Sequence, residues 1–423
     1  MAAGSQSALS HLQRLLDGKA PSDALHKMEP SFAPMPSRIP GASLATKEAI
    51  ERRWGLLPDA PEAKALLWGE QCLEAYSGNI ENLVGMVSVP LGLAGPLRIN
   101  STSGSQDYYV PLATTEAALI ASYTRGCQVI GESGGSAVMT LAEGVSRAPA
   151  FVFSNLRDAG AFVVWALEHE ADFIREAEST TRHGKLLEMR CTVEGNHVYL
   201  NFEFHTGDAS GQNMVTIATQ AICDFIAAHT PVEPRYLFVE SNLSGDKKAS
   251  AQSFQTVRGR KVTAEAIVPA AVLQKRLHTD ARTMEEYWRV SALGGVQSGT
   301  IGVQGHYANG LAALFLATGQ DVACVSEASV GVTRFEARDD GSLYAAVTLP
   351  NLIVGTVGGG TKLPTQAACL DILGLRGAGN ARKLAEVAAA LALAGELSII
   401  GALSAGHFTR AHEKLARSKH GSE

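Results

Sequence analysis

The chain has 423 residues, a formal net charge of -6, 46% hydrophobic residues and 18% charged residues. That length exceeds one ordinary core and predicts two or three domains. The acidic balance argues against a dominant nucleic-acid role, because basic patches normally supply that affinity.

Met1 to Ser7 lacks a basic region leading into an apolar core, so no secretory leader is expected. Pro21, Pro30, Pro34, Pro36 and Pro40 limit the start to a short helix and an extended arm. Residues 46–80 read as helical and complete an N-terminal region over 1–80. An apolar run at 150–153 precedes a helical stretch at 159–177. Two alternating segments follow, 186–193 and 197–204, joined by Glu194-Gly195-Asn196 as a hairpin signal. A helix over 212–228 and a strand over 236–239 complete β-α-β-β-α-β, the ferredoxin-like split unit.

We therefore expect an α+β protein with a large helix-rich domain over 81–147 and 250–405. A small domain over 148–237 is inserted in it, followed by a connecting loop over 238–249, with a tail over 406–423. Residues 384–403 are apolar nearly all round, as in a buried central helix. The most apolar tract, 387–395, lies between Glu386 and Glu396 and is too short to cross a bilayer, so no membrane association is expected. Cys72, Cys127, Cys191, Cys223, Cys324 and Cys369 are scattered, without ligand-like spacing. They predict buried thiols in a reducing, cytoplasmic setting, with no disulfide frame and no metal site.

Two segments bear on nucleotide binding. Gly377-Ala378-Gly379-Asn380-Ala381-Arg382 falls short of Gly-x-Gly-x-x-Gly, with arginine where the last glycine belongs, and reads as a helix start capped by Asn380. Asp208-Ala209-Ser210-Gly211-Gln212-Asn213 opens a helix whose free N–H groups suit phosphate oxygens. On spacing alone an ordinary helix with Asp208 as its cap is the favoured reading.

Four ionisable side chains stand in unusual local settings: Glu116, Lys247, Asp321 and His412. A lysine with two carboxylic acids and a histidine can stabilise an oxyanion and protonate leaving groups. Each alone would usually be a solvated charge.

The surrounding motifs run in a recognisable order. They are Glu81-Asn82-Leu83-Val84-Gly85, Pro90-Leu91-Gly92-Leu93-Ala94-Gly95-Pro96-Leu97, Ala113-Thr114-Thr115-Glu116 and Thr206-Gly207-Asp208-Ala209-Ser210-Gly211-Gln212-Asn213-Met214. Then come Asp246-Lys247-Lys248, Ala317-Thr318-Gly319-Gln320-Asp321, Gly355-Thr356-Val357-Gly358-Gly359-Gly360-Thr361 and Ala394-Gly395-Glu396-Leu397-Ser398. Over residues 75–419 the chain resembles the 3-hydroxy-3-methylglutaryl-CoA reductase family in its class I form.

The resemblance implies NADPH-dependent reduction of an acyl-CoA thioester to an alcohol by two hydrides, on a homodimer or homotetramer with active sites between subunits. It implies that Lys247 stabilises the oxyanion, Glu116 donates a proton, Asp321 joins that network and His412 protonates the departing CoA thiolate. Arg182, Asp208, Ser210, Gly211, Gln212, Asn213, Gly358 and Arg417 would hold NADPH, with the Arg182 fork at the 2′-phosphate. Arg147, Asp246 and Lys248 would take the acyl carboxylate, Asn309 would bond the lysine, and Arg125 would lie at the CoA end.

Departures from the family pattern are Glu240 in place of a serine, Ala249, Ala117, Val325 in place of an asparagine, and Ser210 and Gln212 in place of methionines. They motivate two alternatives: a reductase of a different acyl-CoA, and a non-catalytic relative that binds acyl-CoA or nucleotide.

Overall fold

The computed structural model describes residues 20–40, 47–58, 61–68 and 87–406, with Leu16 and Asn79 as isolated positions. The proline-rich start forms helix α1 (Pro21–His26) and then an extended arm, followed by the short helices α2 (Lys47–Trp54) and α3 (Pro61–Trp68). Buried Arg98 secures the arm by donating to the carbonyls of Ser31 (3.0 Å), Ala33 (2.6 Å) and Pro34 (3.3 Å) while pairing with Asp107.

Next in chain order are β1 (Leu91–Ser101), β2 (Gly104–Ala113), α4 (Leu119–Glu132) and β3 (Ser136–Arg147). After them come β4 (Ala150–Val152), α5 (Leu156–Glu168), α6 (Glu170–Ser179), β5 (Lys185–Glu194), β6 (His197–His205), α7 (Gln212–His229) and β7 (Tyr236–Phe238). The chain then forms β8 (Gly259–Val268), α8 (Ala281–Ser298), β9 (Gly302–Val303), α9 (Tyr307–Thr318), α10 (Val325–Ala328), β10 (Gly331–Ala337) and β11 (Leu343–Leu352). Helices α11 (Pro364–Leu373) and α12 (Ala381–Ser404) complete the described part.

The class is α+β, as the sequence predicts. In the smaller unit the strands pair in the order β7-β4-β6-β5, all antiparallel. That is the ferredoxin-like arrangement read from the alternation. Phe151, Phe153, Phe162, Phe173 and Phe202 fill its core. The single helix expected at 159–177 is two, α5 and α6, meeting at His169, whose ring stacks on Trp165 with centroids 4.5 Å apart.

The larger unit holds more sheet than its glycine- and alanine-rich text suggests. Its strands run β2-β1-β3-β8-β11-β10-β9. β8 buries Val262, Ala264, Ala266 and Val268 at every second position, with alanines small enough to disguise the alternation. The C-terminal end of β3 also pairs with β6 at Val145, Ser146 and Arg147, so Arg147 stands where the two units join.

Helix α12 crosses this core with almost every residue buried, including Glu386 and Glu396. Its length and composition match a membrane span, but most of it is enclosed by the fold, as in a globular core helix. Helix α4 approaches it through Gly126, where a Cβ would come within 1.8 Å of the Ala394 carbonyl oxygen. Any larger residue there would force the helices apart.

Candidate active site

The lysine loop between β7 and β8 is irregular, with three left-handed residues, Asn242 (φ 66°), Gly245 (φ 75°) and Lys247 (φ 56°). A positive φ strains a lysine backbone, and neighbours must hold it there. The Lys247 N–H donates to Glu327 Oε1 at 3.1 Å, and Glu327 is fully buried. Glu327 Oε2 takes Nε of Arg258 at 2.6 Å. Burial pushes the Glu327 carboxyl up, and the Arg258 charge opposes that push.

The Lys247 side chain reaches Asp321, with Nζ 2.8 Å from Oδ2. That hydrogen bond raises the lysine above its ordinary value, so it stays protonated. Partial burial works to raise Asp321, but the Lys247 bond and charge, with the Ala323 N–H and Gln212, outweigh it and hold the carboxyl low. Asp321 follows the left-handed end of α9 at Gly319 and caps the next turn by accepting from Ala323 N–H at 3.0 Å. Gln320 fixes the junction by bonding both N–H and C=O of Gly355, at 2.8 and 3.0 Å.

Glu116 lies just beyond β2 and takes both its contacts from Asn309 Nδ2, at 3.3 and 3.1 Å. Asn309, expected on the lysine, stands in the first turn of α9, whereas Asp321 follows its far end. The ten residues from Asn309 to Thr318 span roughly 14 Å of helix at about 1.5 Å per residue, between the residue that holds Glu116 and the turn that carries Asp321. Among the described residues no hydrogen bond or ion pair joins the Glu116–Asn309 pair to the Lys247–Asp321 pair.

Arg147 is buried and gives Nη1 to Glu240 at 2.9 Å and to Asp246 at 3.1 Å, while its Nε has no partner among the described residues. Asp246 is shared with Arg258. Glu240 accepts from the N–H groups of Ser241 (3.0 Å) and Asn242 (2.6 Å) and from Ser244 Oγ (3.0 Å). Lys248 is exposed and folds back onto the Asp246 carbonyl at 2.7 Å. Arg125 is tied to α12 through Ser398 Oγ and O, both at 3.0 Å. His412 and Arg417 lie outside the described residues, as do Cys72 and the 81–85 motif.

At the nucleotide segment, neither Asp208 nor Asn380 caps the helix expected of it. Asp208 does not cap α7: its carboxylate accepts from Gly379 N–H (2.8 Å) and Ala381 N–H (3.1 Å), capping α12 from outside. The Asn380 side chain instead donates to the Arg376 carbonyl at 3.2 Å. The cause is close approach, since a Cβ on Gly355 would lie 2.5 Å from Ser210 N.

Helix α7 then begins at Gly211 (φ 79°) with no side-chain cap, leaving first-turn N–H groups for an anion. Gly358 and Gly359 both have positive φ and open space where a Cβ would point. Arg182 is exposed in the α6–β5 turn, whose Gly184 abuts Met214 in the first turn of α7. These features fit a dinucleotide phosphate. The Gln212 side chain turns inward, to Asp321 Oδ2 (3.3 Å) and Cys324 Sγ (2.9 Å).

The sequence reading missed Arg258 and Glu327. Their one signal is a carboxylate in a short segment of small and apolar residues and an arginine just ahead of β8.

A protonated lysine on an aspartate, beside a helix start suited to phosphate, is the arrangement of a nucleotide-dependent enzyme, with a cation able to meet a developing oxyanion. The family model described as hydroxymethylglutaryl-coenzyme A reductase matches residues 49–417, and the chain belongs to that family. It is 43% identical over 353 residues to the 3-hydroxy-3-methylglutaryl-coenzyme A reductase of Pyrococcus horikoshii, covering 81% of this chain and 85% of that protein. The Haloferax volcanii protein of the same name is 45% identical over 350 residues, covering 81% and 86%. The fold is shared with a class II 3-hydroxy-3-methylglutaryl-CoA reductase from Streptococcus pneumoniae, whose structure is bound to NADPH. That match has a TM-score of 0.70 and 19% identity and covers 87% of this chain and 100% of that one.

Proposed function

We propose that the chain reduces 3-hydroxy-3-methylglutaryl-CoA to mevalonate and CoA with NADPH. The observation that carries this reading is the Lys247–Asp321 pair at 2.8 Å, in a chain of this reductase family. Two NADPH, bound in turn, would each supply one hydride. Lys247, kept charged by Asp321, neutralises the oxyanion that forms at the thioester carbonyl. Glu116, oriented by Asn309, gives the proton to the aldehyde oxygen, and His412 protonates the leaving thiolate. Arg147 and Lys248, with Asp246, receive the acyl carboxylate, and Arg125 lies toward CoA.

The cofactor is held by the start of α7 (Gly211, Gln212, Asn213) and by Ser210, Asp208, Gly358 and Arg417. Arg182 takes the 2′-phosphate, within the small unit over 148–237. The separation of the Glu116 and Lys247 pairs supports an active site built from two copies, each supplying one pair. Exposed Val290, Leu293 and Val296 form an apolar stripe on α8 consistent with self-association. The five described cysteines are unpaired, which suits the cytoplasm.

The test is NADPH oxidation by purified protein, with and without the glutaryl thioester. Two NADPH consumed per CoA released, with mevalonate as product, is expected. Tight NADPH binding without turnover of this thioester would sink the reading.

A further inference from the structure

The anion pocket beside the catalytic lysine is already occupied by the protein itself. Arg147 is the buried cation of that pocket, and the carboxylate of Glu240 sits 2.9 Å from its Nη1. Asp246, on the same nitrogen at 3.1 Å, is held in place by a second buried arginine, Arg258, which also pairs with Glu327. A third carboxylate brought to Arg147 would therefore face two negative charges across one guanidinium.

The hold of Glu240 is also incomplete. It engages Arg147 end-on through one nitrogen, while Nε stays buried without a partner among the described residues. A carboxylate bound across the guanidinium fork makes two parallel bonds and is the stronger ligand. Glu240 has other acceptances to keep it in place, from Ser241 N–H, Asn242 N–H and Ser244 Oγ, and these lie on the lysine loop itself.

We infer that Glu240 is a specificity-determining residue that competes with the terminal carboxylate of the substrate for Arg147. The inference rests on the proposed acyl-CoA reading of this site. Binding of an acyl-CoA that bears a terminal carboxylate requires Glu240 to yield Arg147. Thioesters without that carboxylate meet no such competition. The pocket thus discriminates less sharply for a glutaryl group than its arginine alone would.

The experiment measures dissociation constants by calorimetry for 3-hydroxy-3-methylglutaryl-CoA and for butyryl-CoA, which lacks the carboxylate. Wild type, Glu240→Gln and Glu240→Ser are compared. Gln keeps an oxygen for the loop N–H groups and removes the charge; Ser removes the reach to Arg147 as well. The glutaryl thioester is expected to bind both variants about tenfold more tightly than wild type, the scale of one charge-assisted bond. Butyryl-CoA affinity moves less than twofold.

Unchanged glutaryl affinity in both variants overturns the inference. Weaker binding in both overturns it too, by making Glu240 a support for Arg147. Circular dichroism melts confirm that the variants fold. A wild type that binds the glutaryl thioester but never reduces it refutes the proposed reaction alone, because the competition is read from binding.

Discussion

The backbone N–H of Lys247 is 3.1 Å from Glu327 Oε1, and the other oxygen of that carboxylate lies 2.6 Å from Nε of buried Arg258. One enclosed side chain thus holds a left-handed lysine in position and neutralises an arginine. Removing one partner of a buried ion pair costs about 3 kcal/mol, because the other charge remains buried. Glu327→Ala should lose stability on that order in urea unfolding. Glu327→Gln keeps an acceptor for the Lys247 N–H, so it should melt closer to wild type while turning over more slowly. An Ala variant as stable as wild type would remove this role from Glu327.

Complementation tests the division of the site. Lys247→Ala and Glu116→Gln proteins should each lose turnover, and Lys247→Ala should still bind NADPH. If each active site takes one pair from each of two copies, unfolding and refolding an equal mixture should restore about a quarter of wild-type activity, since half the dimers carry one intact site. A mixture as inactive as its parts would mean that each chain carries its own complete site.

Asp208 links the nucleotide segment to the core helix, since both of its oxygens accept N–H groups at the start of α12. Losing a cap of this kind costs about 1–2 kcal/mol. Asp208→Ala should therefore lower the melting temperature and weaken NADPH binding together, as the loop that fixes the start of α7 loosens. Asp208→Asn keeps one acceptor and should retain most of both. Full stability in the Ala variant would show that the α12 N–H groups need no carboxylate.

Much of this was legible in sequence because chemistry and alternation coincide there. Glu194-Gly195-Asn196 between two alternating segments is enough to specify the β5–β6 hairpin, and Asp246-Lys247-Lys248 marks the lysine loop. What stayed hidden depends on long-range packing. Asp208 precedes a helix and looks like its cap, but the approach of Gly355 to Ser210 turns its carboxylate toward α12. Glu327 lies among small uncharged residues with no local sign of Arg258, which is 69 positions away in sequence. Glu240 stood out in sequence as a carboxylate in place of a serine, but its pairing with Arg147 did not, because one-dimensional text does not say which charges meet.

Glu386 gives the fold a pH dependence of calculable sign. It is buried on α12 with Thr140 Oγ1 3.4 Å from its Oε1. Burial pushes its carboxyl from 4.5 up to about 7, against the pull of Arg382. The folded chain therefore keeps a proton that the unfolded chain releases. The resulting stabilisation is complete below about pH 4.5 and is lost as pH rises through 7. At about 1.4 kcal/mol per unit, the loss is on the order of 3 kcal/mol. Glu386→Gln should remove this slope, so its unfolding free energy should fall less than that of wild type between about pH 5 and 8. Other titrating groups, Glu203 among them, act in both proteins and cancel in the difference. Parallel stability curves for the two proteins across this window would mean that Glu386 titrates alike in the folded and unfolded chains.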